Sequence, residues 1–452
     1  MYTKKNNLCA GFARVNVTPS MGIFMRGYFK PRYAEGVLDD LEVNVLALAC
    51  GDSKVLLLSV DHCGLDKETC AAFRQNISQK TGVAVEAIFI SATHTHTGPQ
   101  VLFDSTDPLE EEYYAILHGA TAEVAKLALD DLKPARMGYG VGDAPNVSFI
   151  RRFRMKDGSV QTNPGVDNPD ILHPIGDVDT RVNVLRFDRE SGESLVLVNF
   201  GNHPDTVGGN KISADWPGFL RKTVEKALDD TKCIFFNGAQ GDVNHVNVHP
   251  RGGYMNDMFM DFDDVARGYK HAQYIGRVVA AGVLQTYDKV QYVDVNMLSA
   301  IQRTIQIPAN VPAPEDIPEA HRINDLHIAG RDAELPYKGM LLTTVVAEAA
   351  RMVKLERGPD FFELDLIGIG IGPVAMIGIP GEPFNGIGLG LKENRNWDLV
   401  LPCCLTNGSQ GYFPMQDAYD EGGYEARSST FKAGVAELII EAGTKILDEL
   451  RE

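Results

Sequence analysis

The sequence predicts an α/β fold of layered, mixed β-sheets covered by helices. Two observations lead to it. Short apolar runs of β type alternate with amphipathic stretches of helical period. Several of those runs stop at polar loops marked by Gly or Pro, as the strands of layered α/β proteins do. No internal repeat or low-complexity tract interrupts the alternation, and the alternation leaves strand order open.

Residues 54–60 read as a strand and 66–80 as a helix. Residues 87–92 form a strand that ends at a His-rich turn, and 111–132 an amphipathic helix. Residues 152–160 look like a hairpin arm, because Lys156-Asp157-Gly158 supplies turn chemistry. Strands follow at 182–187 and 195–200, with Glu190-Ser191-Gly192-Glu193 in the turn between them. A helix over 216–229 has Pro217 in its first turn, where a missing N–H costs nothing. Residues 233–236 are a short strand, 273–287 a helix and 293–307 strand-like. The Pro-rich stretch 308–318 is either a linker or a loop over a site. A helix at 339–356, a strand pair at 361–370 and 374–379, a buried strand at 399–405 and a closing helix at 430–450 complete the chain.

Composition narrows the function. The 452 residues are 44% hydrophobic and 23% charged, the balance of a globular protein able to hold a rigid site. The net charge of −18 argues against nucleic acid or an anionic membrane as partner, since both need a basic surface. The acidity is read as serving solubility. Seven cysteines, an odd number without a CxxC pair, are expected to be mostly buried thiols in a reducing compartment. The first residues, MYTKKNNLCAGFARV, lack the apolar core of a leader peptide, and no run is long enough to span a bilayer. A soluble cytoplasmic protein acting on a small molecule, with no stable membrane association, is the expectation.

The sharpest chemical signal is Thr93-His94-Thr95-His96-Thr97-Gly98-Pro99 at the end of the 87–92 strand. Side chains two apart on a strand share a face, and neutral imidazole is the commonest metal ligand. The strand 195–200 likewise delivers His203 to a loop, where a capped loop histidine is the plain alternative. The strand 374–379 leads to Pro380-Gly381-Glu382, and a carboxylate fixed after a buried strand needs a partner. The strand 399–405 leads to Tyr412, which by itself reads as a buried tyrosine at a strand end. Four strands thus end in polar loops, each carrying a possible ligand. Zinc suits such a set, with three or four ligands and room for water.

Six segments in order resemble the neutral/alkaline ceramidase family of zinc amidases. They are GFARVNVTPSMGIFMRGY (11–28), ISATHTHTGP (90–99), NHPDTVGGNKISADWPG (202–218), NGAQGDVN (237–244), PGEPF (380–384) and NGSQGYFPMQDAYDEGGYEARSST (407–430). The resemblance implies that family's catalytic-domain fold over 1–452, without its C-terminal immunoglobulin-like domain. It implies a Zn²⁺ ion on His94, His203, Glu382 and Tyr412. It makes His96 a proton carrier, and Tyr424, twelve residues beyond Tyr412, a contact of the substrate carbonyl. Arg151 matches a family arginine that follows an Asn, but Ile150 stands in the Asn position and leaves Arg152 open. The implied reaction is hydrolysis of an N-acyl bond by metal-activated water, whose pKa falls toward ~7 on zinc.

Three departures stand beside the resemblance. Gly241-Asp242-Val243 continues with Asn244-His245 where the family has Ser-Pro. The extra domain and a leader are both missing from the pattern. The expected substrate is therefore a soluble N-acylated compound and not necessarily ceramide. An ester, lactone or glycan-linked group on the same scaffold is the second reading, and a binding protein that has lost catalysis the third; the latter predicts broken ligands. A P-loop nucleotide enzyme is disfavoured, because no GxxxxGK[ST] occurs. His245 and His249 are expected to be solvated loop histidines, with substrate contact or a second metal as alternatives. Asp61-His62 is expected to support the site from behind, and Asp215 to cap a helix.

Overall fold

The computed structural model describes residues 8–451. The first seven residues, on which part of the leader-peptide reading rests, lie outside them. Strand β1 (Leu8–Asn16) pairs antiparallel with β2 (Glu42–Cys50), β2 pairs antiparallel with β3 (Ser53–Val60), and β3 runs parallel to β4 (Ile88–Ala92). Beyond β1 the sheet continues through β5 (Lys133–Asp143), β6 (Arg181–Arg189), β7 (Ser194–Phe200) and β8 (Thr231–Asn237), the last two parallel. A short β9 (Gln291–Val293) also pairs with β5 and makes nine strands.

A second sheet runs β10 (Leu298–Pro308), β11 (Phe361–Ile371), β12 (Val374–Gly378) and β13 (Leu399–Cys403), with β12 and β13 parallel. The helices are α1 (Lys67–Thr81), α2 (Pro108–Asp130), α3 (Asp215–Ala227), α4 (Tyr269–Tyr287), α5 (Ile317–Ile328), α6 (Gly339–Leu355), α7 (Asn385–Lys392), α8 (Gln416–Glu421), α9 (Tyr424–Ser428) and α10 (Val435–Glu449).

Burial explains the layering. In β2 and β3 almost every side chain is buried, because the strands are covered on both faces. Helices α1 and α2 supply Phe73, Ile77 and Leu117 to one core with Leu46, Leu57 and Phe89. Ile367, Met376 and Leu401 of the second sheet join that same core. The outer face of the second sheet is closed by α7 and α10 through Leu391, Ile439 and Ile446. Helices α3 and α4 cover the other half of the large sheet through Trp216, Leu220, Ile275 and Val279. Helix, sheet, sheet and helix therefore stack as layers, which is the predicted class.

Two predicted elements differ in the structure. The run 293–307 is broken near its start, because Val293 ends β9 in the large sheet and the chain resumes at Leu298 as β10 in the second sheet. The end of the Pro-rich stretch opens α5, with Pro318 in its first turn. Helices α5 and α6 form a hairpin between the paired neighbours β10 and β11, around a small core of Ile323, Leu335 and Val346. The seven cysteines are free thiols, six of them buried. No described helix is long and apolar enough to cross a membrane.

The strand ends are fastened by buried ions. Asp61, at the end of β3, is fully buried and receives both terminal nitrogens of Arg221 from α3, at 2.9 and 2.6 Å. It also accepts the Glu42 amide at 2.9 Å and the Thr93 hydroxyl at 3.3 Å. Removing one partner from a buried pair leaves an uncompensated charge. Arg221→Met is therefore expected to lose about 3–5 kcal/mol in urea denaturation, and adding Asp61→Asn should restore part of it. Equal stability of Arg221→Met and wild type would show that the pair is not what anchors β3.

Candidate metal centre

Four strands deliver polar residues from their C-terminal ends to one place, where α/β folds put their sites. Strand β4 leads to His94, β7 to His203, β12 to Glu382 and β13 to Tyr412. Backbone bonds join these exits. The His94 amide donates to the His62 carbonyl and the Thr93 amide to the Val60 carbonyl, each at 2.8 Å. The buried Asn237 side chain donates to the carbonyls of Thr93 and Asn202, both at 3.1 Å, and so ties the two histidine loops together. Cys404 and Asn407, beyond β13, bond to Asn237 and Ile90 and bring the second sheet against the first. Glu382 pairs in parallel with Tyr412. Gly241 packs so closely on Glu382 that a β-carbon there would meet its carbonyl oxygen at 2.5 Å.

His94 has φ 77°, a left-handed conformation that costs of order 1–3 kcal/mol outside glycine. The strain aims its ring. Nδ1 of His94 faces the Cys63 carbonyl, and Nδ1 of His203 lies 3.2 Å from the Gln240 carbonyl. A carbonyl only accepts, so both Nδ1 atoms carry the proton and both Nε2 atoms present lone pairs. Those two Nε2 atoms face each other at 3.1 Å. Glu382 Oε2 lies 3.1 Å from the first and 3.4 Å from the second, is buried, and has no hydrogen-bond partner.

Two lone pairs and an orphaned carboxylate oxygen at these distances repel unless a cation or a proton lies among them. The edges of a tetrahedron with metal bonds of about 2.0–2.1 Å measure roughly 3.3 Å. The three atoms thus fit a small divalent metal. Cys63, His94 and His96 form a second possible group, but His94 Nδ1 already faces the Cys63 carbonyl there.

Protonation follows the same logic. Burial opposes charge on His94, yet Glu382 and Cys63 outweigh it and hold its pKa well above the usual imidazole value. Burial alone raises a carboxyl, but His94 draws Glu382 down to about 2. His203 is pushed well down by burial and by Arg151. A positive charge is thus favoured among the three.

The seven residues expected to hold the metal or act on the substrate, His94, His96, Arg151, His203, Glu382, Tyr412 and Tyr424, line one cleft of about 570 Å³. His96 Nε2 lies 3.2 Å from His94 Nε2, and its Nδ1 lies 3.6 Å from Asp205 without a hydrogen bond. Burial pushes His96 down to about 3. Arg151 donates to Glu425 and to the Gly241 carbonyl, each at 2.6 Å, and stands 5.4 Å from the Tyr412 ring centre. Tyr412 and Tyr424 meet edge to face at 5.5 Å. Burial and Glu382 hold the Tyr412 hydroxyl well above its ordinary pKa, so a phenolate there needs a cation beside it.

Arg152 turns away to Glu421 and Gly422, so that of the two it is Arg151 that lines the cleft. His62 supports His94 by its backbone carbonyl, while its ring turns to Tyr113. His249 is exposed, as expected, but His245 is fully buried, with Nε2 2.8 Å from the Ala266 carbonyl. The loop is covered by Tyr254, whose hydroxyl donates to the His245 carbonyl. Asn244 donates to the Asn163 side chain at 3.0 Å.

Asp215 is not the cap. Ala214 holds that position, and the buried Asp215 carboxylate accepts the Thr206, Val207 and Trp216 amides at 2.6–2.9 Å. Burial pushes its carboxyl up to about 7 despite those donors.

The sequence reading missed Asp205, Arg267 and Glu425. Asp205 accepts from Tyr28 and from Arg267 at 3.0 and 2.8 Å, and Arg267 also grips Asp263. Asp205 is two residues from His203, and Glu425 adjoins Tyr424. Proximity to a named ligand was the available signal.

No family model matches the sequence. Solved structures share its fold, among them two ceramidases. A neutral ceramidase from Pseudomonas aeruginosa superposes with a TM-score of 0.73 at 16% identity, over 99% of this chain and 75% of that one. A ceramidase complexed with C2 gives 0.72 at 16% identity, over 98% and 75%. The chain has the neutral-ceramidase fold. Within that fold, the strand ends carrying His94, His203, Glu382 and Tyr412 open on one cleft.

Metal binding should register as stability, because a ligand bound only by the folded state adds about 4 kcal/mol at a thousandfold excess over Kd. Chelator-treated protein is expected to gain several degrees in Tm on adding Zn²⁺, and Glu382→Ala to gain none. A Tm indifferent to metal in both proteins would remove the centre.

Proposed function

We propose that the protein is a zinc-dependent hydrolase of the neutral/alkaline ceramidase family that cleaves the amide bond of a small N-acylated compound. The observation that carries this reading is the convergence of His94 Nε2, His203 Nε2 and Glu382 Oε2 at one cleft that also holds His96 and Arg151. The fold likeness and the six ordered segments support it. A His, His and carboxylate set suits zinc, with Tyr412 as a further ligand. The cleft volume is that of a small-molecule site. Residues 1–452 are taken as one catalytic unit. Seven free thiols support a reducing, cytoplasmic setting.

When bound, the metal supplies positive charge that polarises a carbonyl and acidifies water. The protein does the rest. Arg151, fixed by Glu425 and the Gly241 carbonyl, is aimed before substrate arrives and with Tyr424 accommodates the growing charge on the carbonyl oxygen. His96 is neutral and takes the proton of the attacking water at Nε2. It then gives that proton to the departing nitrogen, so that acid and amine leave. Asp205, gripped by Arg267, faces Nδ1 and steadies the transient imidazolium.

The test is metal content by inductively coupled plasma mass spectrometry, with release of free amine from a panel of N-acyl compounds. Wild type is expected to hold near-stoichiometric zinc and to release amine. His94→Ala and Glu382→Ala should lose both while remaining folded. Arg151→Ala should keep zinc and lose roughly 10²–10³ in kcat, the size of a lost oxyanion donor. A metal-free wild type, or variants that keep full zinc, would sink the reading; acid release without amine would point to an ester or lactone.

A further inference from the structure

We infer that the substrate is an N-acyl compound bearing a carboxylate, held in the cleft by Arg26 and Lys354; this rests on the hydrolase reading above. The inference comes from matching every charge that lines the cleft. Asp205 and Asp263 are both taken by Arg267. Glu382 faces the histidines, and Arg151 is taken by Glu425. Two cations are left without a carboxylate partner among the described residues. Arg26 donates to the Gly64 carbonyl at 2.9 Å and to the Ser409 hydroxyl at 3.2 Å, both neutral acceptors. Lys354, on α6, has its amine exposed toward the same cleft. A protein with a net charge of −18 has left only positive charge uncommitted in its cleft.

Arg26 is fixed near the reacting groups. Its amide donates to the Gly98 carbonyl at 3.2 Å. The next residue, Gly27, has φ 120° and lies so close to His96 that a β-carbon would meet the ring at 2.9 Å. That approach and that φ both need glycine. The backbone is therefore fixed against His96, while the guanidinium reaches Gly64 and Ser409 on the wall of the same cleft. A guanidinium has five donors in a planar fork, and only two are engaged here. The fork matches a planar carboxylate bidentately. The helical hairpin adds Lys354 as a second, exposed charge. Beyond about 8 Å the acidic surface is screened by physiological salt, so contact charges decide binding.

The probes are N-(hexylsulfonyl)glycine and its neutral counterpart N-(2-hydroxyethyl)hexane-1-sulfonamide, neither of which carries a carboxamide to cleave. Their affinities for the metal-loaded protein are measured by isothermal titration calorimetry. A charge-assisted contact is worth roughly 10- to 100-fold in Kd, so the carboxylate is expected to bind at least tenfold tighter than the alcohol. Arg26→Gln should abolish that preference while leaving the alcohol's Kd unchanged, and Lys354→Gln should reduce it several-fold. Equal affinity of the two probes, no binding of the carboxylate, or a preference that survives both substitutions would overturn the inference. An Arg26 that only ties Gly64 to Ser409 would weaken both probes alike, which also overturns it. Failure of the hydrolase reading would show separately, as absence of zinc and of amine release from neutral N-acyl amides.

Discussion

Lone pairs that face one another in a buried site repel, and the fold must supply the work of holding them there. His94 Nε2, His203 Nε2 and Glu382 Oε2 come from three strands separated by more than a hundred residues in sequence, yet they meet within 3.4 Å. No local preference would produce that. His94 even adopts a left-handed backbone that its residue type disfavours. The stability for this comes from elsewhere, chiefly the continuous apolar cores of the two sheets and the ion pair of Asp61 with Arg221.

The mechanical part of the answer is that parallel strand pairs end together. Strands β3 and β4, β7 and β8, and β12 and β13 are each parallel, so their carboxyl ends open on the same side. Asn237, the last residue of β8, then bonds across to the loops after β4 and β7. Its own carbonyl accepts from Cys404 beyond β13. One residue thus touches three of the four exits. Its amide can satisfy each contact only if the loops stand in their observed positions, which makes the junction specific as well as tight.

Much of this was legible before the structure. Apolar runs that stop at His94, His203, Glu382 and Tyr412 marked the four exits. Their meeting was not legible, because it depends on strand order. Strands β1 and β2 went unread: β2 runs apolar without alternation after Glu42 and Asn44, and β1 mixes small and polar residues. The opening of α5 was hidden by prolines that read as a linker or a loop over a site. Asp205 and Arg267 are 62 residues apart, and no spacing rule connects them. His245 looked solvated because its loop is polar, but Tyr254 folds over it. Asp215 had the residue type of a cap, yet a cap must leave its side chain at the helix end, and this one is pulled inward by the amides of Thr206 and Val207.

The pair His94 and His96 shows how two identical side chains, two residues apart, are given different work. His94 has its Nδ1 committed to a backbone carbonyl, a partner that cannot titrate or turn, so the neutral ring has one tautomer, with Nε2 as its electron donor to a metal. His96 has no such commitment: its Nδ1 stands near Asp205 without a hydrogen bond. Asp205 is held ionised well below the usual carboxylate range, because Arg267 and the neighbouring histidines outweigh its burial. A neutral imidazole beside a fixed carboxylate gains a stabilising partner only when it becomes charged. A ligand needs the first arrangement and a proton carrier needs the second. In the proposed mechanism the division of labour is therefore set by what lies behind each ring, and the Thr-His-Thr-His sequence only brings the two rings to the same place.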